Sequence, residues 1–174
     1  MTIDLSDDKF LEDRILIIDG EMLANQCETY TKKMLYLMSN NNKDDVTIYI
    51  NSCGGDYIVF LTLYSLLSQR QFTLHTVALG TCFSGGALLL LSGDDRSAYK
   101  YSDLLLHEVR TSIEELSLHG LNDRVKLNKG YQKDINEIIR KHTKIKNIPS
   151  FLRKDKNITS KRALELGIID RIIG

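Results

Sequence analysis

The sequence predicts an α/β fold, a largely parallel sheet covered by helices. Short β-branched runs alternate with longer segments whose apolar residues recur at three- and four-residue steps. Two glycine-rich turns each follow an apolar strand and open a helix. No low-complexity linker, repeat or Pro/Gly-rich hinge divides the chain, so its 174 residues are expected to form one domain, 1–174. The βαβα order then requires right-handed crossovers.

Arg14-Ile15-Leu16-Ile17-Ile18-Asp19-Gly20 reads as a strand buried on both faces. From Met22 to Met38 the residues Leu23, Cys27, Tyr30, Met34, Leu37 and Met38 mark an amphipathic helix. After a polar loop, Val46-Thr47-Ile48-Tyr49-Ile50 is a second strand and Asn51–Asp56 a turn. Tyr57–Leu67 is the next helix, with Asp56 favouring its N-terminus. Leu74–Leu79 is a third strand, Gly80–Gly86 the second turn, and Ala87–Ser92 a buried helix. Leu104–His107 ends a fourth strand. Arg110–Lys146 is charged, with sparse apolar positions at Leu116, Leu121, Val125, Tyr131, Ile135, Ile138 and Ile139, and predicts a long, partly exposed helix. Thr159–Leu166 is a short helix closed by Gly167, and Ile168–Ile173 a last strand.

Composition excludes several function classes. Lys+Arg and Asp+Glu both number 23, so the chain has no broad electrostatic footprint for nucleic acid or an anionic membrane. A 43% hydrophobic chain without net charge also leans toward association. The longest apolar run, Ala87–Leu91, is far below the ~20 residues of a membrane-spanning helix. The acidic start, Met1–Asp8, lacks a basic segment followed by an apolar one, which predicts a cytoplasmic protein. Cys27, Cys53 and Cys82 form no Cys-x-x-Cys pair and are expected to be buried free thiols, with neither a disulfide nor a zinc site.

The glycine turns are where chemistry belongs. The first N–H groups of a helix have no intrahelical partner, so two adjacent helix starts make a two-donor oxyanion hole; ordinary strand-to-helix corners are the plain alternative. Neither turn carries a Walker or Gly-x-Gly-x-x-Gly pattern, which removes support for nucleotide binding. Ser84, in the second turn, becomes nucleophilic beside a base, and His107, ending a strand of the same sheet, is the best-placed candidate. Taken alone, Ser84 also suits an N-cap and His107 a half-buried strand position. His75, His119 and His142 have weaker claims. Spacing does not choose the carboxylate that would orient the base; Asp155 is one of several candidates.

The segment Tyr49-Ile50-Asn51-Ser52-Cys53-Gly54-Gly55 resembles the Tyr-Ile-Asn-Ser-Pro-Gly-Gly turn of the proteolytic subunit of the Clp ATP-dependent protease, and the 29-residue interval from Gly55 to Ser84 matches that family's spacing. Gly80-x-x-x-Ser84 is similar to its nucleophile turn, and Leu105-Leu106-His107 to its Met-Ile-His. Lys154-Asp155 followed by Ile158–Asp170 is similar to its C-terminal motif. The resemblance implies a crotonase-like core of repeated βαβ units with a protruding handle, roughly 109–143. It implies a serine endopeptidase that hydrolyses unfolded or short polypeptides inside a homo-oligomeric chamber of stacked seven-membered rings. Ser84 would be the nucleophile, His107 the base and then acid, and Asp155 the orienting group. The backbone N–H groups of Gly55 and Gly85 would form the oxyanion hole. No metal or cofactor is implied, and ATP would serve only a partner AAA+ unfoldase.

The sequence departs from the family pattern at Cys53 for Pro, Gly85 for Met, Glu108-Val109-Arg110-Thr111-Ser112 for Gln-Pro-x-Gly-Gly, and Lys154 for Arg. About thirteen residues precede Arg14, short of the family's axial-loop segment. A phage-type capsid-maturation protease is a variant of the same chemistry. A non-proteolytic ring subunit and an acyl-CoA enzyme of the related hydratase superfamily are the rival readings.

Overall fold

Alternating burial along β-branched strands decides how the sheet is placed. In the computed structural model, which describes residues 7–39, 43–112 and 117–174, β1 (Ile15–Met22) follows a short helix, α1 (Asp7–Glu12). Leu16, Ile18 and Met22 of β1 are buried, whereas Ile17 is exposed. β1 is therefore an edge strand with one buried face, not a strand covered on both sides, because β2 (Val46–Gly55) is its only neighbour in the described sheet. The predicted helix start at Met22 also moves. Met22 is held in the sheet opposite Gly55, and α2 (Cys27–Ser39) begins only after a 3₁₀ turn at Ala24–Gln26. Tyr30, Met34 and Leu37 of α2 then face the core, as their spacing predicts.

β2 extends through the predicted turn, since Glu21 and Met22 pair with Gly54 and Gly55. Asp56 caps α3 (Tyr57–Leu67) by accepting a hydrogen bond from the Ile58 N–H at 2.8 Å. β3 (Leu74–Phe83) leads to α4 (Gly85–Leu90), which starts two residues earlier than predicted and is buried along its whole length. β4 (Asp95–Tyr99) has no counterpart in the sequence reading, because it offers only Ser97 and Ala98 to the interior. The predicted fourth strand is β5 (Asp103–Leu105), which stops two residues before His107.

The strand order is β1-β2-β3-β4, continued by β7 (Arg171–Ile173), all parallel. β3 forks: its first half, His75–Ala78, pairs with β4, and its second half, Thr81–Phe83, pairs with β5. The Ser102 hydroxyl spans the fork by donating to the Ala78 carbonyl at 2.9 Å.

The charged segment contains α5 (Leu118–His142), shorter than the predicted helix; Leu116 lies outside the described residues. Its C-terminal half buries Ile135, Ile138 and Ile139, while Leu118, Val125 and Leu127 are exposed, so one end is anchored and the other stands out from the core. α6 (Ile148–Leu152) and β6 (Ile158–Thr159) were not apparent in the sequence; β6 runs antiparallel to β5. α7 (Ser160–Glu165) is closed by Gly167, at φ 67°, as predicted. The Gly167 N–H donates to the Leu164 carbonyl and the Ile168 N–H to that of Ala163.

One further expectation changes. Cys82 is buried and Cys27 half-buried, but Cys53 is exposed, because its side chain leaves β2 on the face opposite Ser52 and Gly54. Among the described residues no helix is long and apolar enough to cross a membrane.

Candidate active site

The fork in β3 brings Ser84 and His107 to neighbouring strand ends. Phe83 is in register with Leu105, and the Ser84 N–H donates to the Leu105 carbonyl at 2.8 Å. The chain passes from β3 into α4 at Ser84, which adopts φ 52° and ψ −120°. A non-glycine residue in such a conformation costs about 1–3 kcal/mol and persists only where its surroundings hold it. Here the bond to β5 on one side and buried α4 on the other hold it. The Ser84 hydroxyl makes no capping bond to its own helix and remains partly exposed.

The first glycine turn abuts this corner. A Cβ on Gly54, whose φ is +90°, would lie 2.7 Å from the Ser84 Cβ and 2.8 Å from the Gly85 nitrogen. Only a residue without a side chain allows the two turns to meet. A Cβ on Gly85 would reach Phe60 Cβ at 3.6 Å and the Gly55 nitrogen at 3.8 Å, both ordinary contacts. Gly85 is the first residue of α4, where a helix has an N–H without an intrahelical acceptor.

His107 is half-buried. Its Nδ1 lies 2.5 Å from the Glu108 carbonyl oxygen, an acceptor only, so Nδ1 carries a proton, and in the neutral imidazole Nε2 is then the acceptor. Asp155, with φ 47°, follows α6 and is engaged elsewhere: its Oδ2 accepts from the Arg110 guanidinium. A second pair lies alongside, with Arg153 Nε 3.4 Å from Glu108 Oε1. An arginine from the segment after His107 thus occupies the carboxylate that the sequence reading left for His107.

A cleft of about 490 Å³ opens over these groups. Gly55, Ser84, Gly85 and His107 all line it; Asp155 does not, and meets it only through Arg110. The opposite wall comes from α5, where Arg124, Asn128, Tyr131 and Ile135 recur at steps of four, three and four, one helix face. Tyr131 stacks on Tyr57 at 4.0 Å between ring centroids, and the Tyr57 hydroxyl donates to Asp134 at 3.0 Å. Burial, reinforced by Asp134, raises the Tyr57 pKa, so Tyr57 stays a neutral donor tying α3 to α5. Sequence reasoning assigned no role to Gly54, Arg110, Arg124 or Tyr57. The stripe on α5 was a readable signal, whereas the Arg110 contact spans 45 residues and left none.

The remaining histidines lie away from the cleft. His75 sits between Asp95 and Asp45, at 3.0 and 3.1 Å. His119 pairs with Asp123 on the exposed face of α5, and His142 faces the Tyr64 hydroxyl at 3.3 Å. Among the described residues no cluster of His, Cys, Asp and Glu is arranged to hold a metal ion.

A model of the Clp protease family, described as "Clp protease", matches residues 2–174. An ATP-dependent Clp protease proteolytic subunit of Cyanophora paradoxa is 27% identical over 168 residues, covering 94% of this chain and 86% of that protein. With its parallel-dominated α/β sheet, the chain belongs to the Clp protease family and is a serine-type endopeptidase.

Proposed function

We propose that Ser84 is the nucleophile, His107 the general base and then acid, Asp155 the group that orients and stabilises the imidazolium, and the Gly55 and Gly85 N–H groups the oxyanion donors. The observation that carries this reading is the strained Ser84 corner bonded through its backbone to β5, which delivers His107 to the same cleft. Ser84 Oγ attacks the scissile carbonyl as His107 Nε2 takes its proton. The N–H groups stabilise the oxyanion, and His107 returns the proton to the leaving amine. Water then hydrolyses the acyl-enzyme by the same steps. The Glu108 carbonyl already fixes the Nδ1–H tautomer that this sequence needs. Completing the triad requires two exchanges: Asp155 leaves Arg110, and the His107 Nδ1–H leaves the Glu108 carbonyl for Asp155. The chemistry uses side-chain and backbone groups alone, with no cofactor.

The proposal extends to assembly. Stacked rings of this chain would enclose the clefts, with the projecting half of α5 meeting the opposite ring and unfolded or short polypeptides as substrates. The exposed apolar residues Leu118, Val125 and Leu127 support that contact. A partner unfoldase using ATP would unfold folded proteins and supply them as extended chains.

A non-proteolytic ring subunit is the second reading, and the occupied Asp155 favours it. A fluorophosphonate probe separates the two. Labelling mapped to Ser84 and lost in His107→Ala is expected for the peptidase, and an assembled particle that takes no label overturns it. Light scattering is expected to give a mass many times the 19.9 kDa of one chain.

A further inference from the structure

We infer that Arg124 makes the cleft selective for peptides bearing an acidic side chain, an inference that rests on the peptidase reading above. Among the described residues, the charges lining the cleft, His107 aside, are Asp56, Glu108, Arg110 and Arg124. Asp56 is taken by the N-terminus of α3, Glu108 by Arg153, and Arg110 by Asp155. The nearest acids on α5 are also committed: Asp123 to His119 and Lys126, and Asp134 to Tyr57. Arg124 alone of these has no ion pair or hydrogen bond among the described residues. Among the described residues, with Asp155 still on Arg110, the cleft therefore presents one uncompensated guanidinium, on the same α5 face as Tyr131 and Ile135, with Ile58 and Leu88 also lining the cleft.

A guanidinium offers paired N–H donors that match a carboxylate in a bidentate contact, so a Glu or Asp side chain is the chemical complement. The stripe also sets a distance. Arg124 and Ile135 are eleven residues apart on one helix face. That is about 16 Å along the axis at 1.5 Å per residue. An extended peptide advances about 3.3–3.6 Å per residue. A substrate seated along α5 with an apolar side chain at the Ile135 end thus brings a side chain about four or five residues away to Arg124.

The test uses full-length protein and fluorogenic peptides sharing one apolar core, with Glu or Gln at each position up to six residues on either side. An exposed pair is weak, so the expected preference is about three- to fivefold in kcat/KM for Glu over Gln at one position four or five residues from the core. It is expected to shrink at high salt, and Arg124→Glu is expected to transfer it to Lys. Equal cleavage of Glu and Gln peptides at every position overturns the inference while leaving the peptidase reading intact. Anisotropy binding of the same peptides to Ser84→Ala decides the matter without catalysis. Tighter Glu binding that Arg124→Glu abolishes supports the inference even if no peptide is cut, and equal binding overturns it.

Discussion

Arg110 and Asp155, 45 residues apart in the chain, form an ion pair beside the cleft that engages the carboxylate proposed to orient His107. The pair is solvent-accessible on both sides, with side chains 64% and 42% exposed. Exposed pairs are worth about 0–1 kcal/mol, so this one is readily exchanged.

Removing the arginine is expected to release Asp155. Arg110→Gln should raise kcat/KM on a short peptide by up to about fivefold, the equivalent of that weak pair, with little change in stability. Added salt should raise wild-type activity toward the variant's and leave the variant less affected. Unchanged kinetics in Arg110→Gln would show that the pair does not compete with His107.

The two glycines beside Ser84 are expected to behave oppositely. A Cβ on Gly54 meets the Ser84 Cβ and the Gly85 nitrogen below 3.0 Å, so Gly54→Ala must displace the corner itself. Probe labelling of Ser84 should be lost and the protein destabilised by about 1–3 kcal/mol. Gly85→Ala meets only ordinary contacts. By restricting the unfolded chain it should stabilise the fold by about 0.4–1 kcal/mol while labelling persists. Thermal denaturation together with probe labelling distinguishes the two.

The pH dependence of stability is expected to carry two opposed contributions. Hydrogen bonds to Asp45 and Asp95 raise the His75 pKa above 6.5. Its contribution is full below 6.5 and is lost as pH rises through the raised value. Burial, with the cations of Lys141, Arg96 and Arg70, pushes His142 down to about 4. Its contribution is full above 6.5 and is lost as pH falls toward about 4. His75→Gln should therefore flatten the melting-temperature profile on the alkaline side, and His142→Gln on the acidic side. Melting curves from pH 4 to pH 9 in both variants check the signs.

What was legible depended on how far apart the cooperating residues lie. The helix cap at Asp56, the close at Gly167 and the inward stripe Tyr30-Met34-Leu37 are local, and their spacing was sufficient. β4 was invisible because a strand covered by neighbours at only Ser97 and Ala98 carries no apolar run. The edge position of β1 is a property of strand order, which no window of residues contains. Ser84, His107, Gly55 and Gly85 were legible as candidates because turn chemistry and family spacing coincide there, and all four line one cleft. The engagement of Asp155 by Arg110 depends on where two loops end, and only the folded chain shows it.

The bond from the Ser84 amide to the Leu105 carbonyl has an experimental consequence of its own. It joins backbone to backbone, so blocking the serine hydroxyl or replacing the imidazole leaves it in place. The Ser84 amide proton is therefore a built-in gauge: slow to exchange with deuterium while β3 and β5 stay joined, and fast once the corner opens, whatever has been done to the reacting side chains.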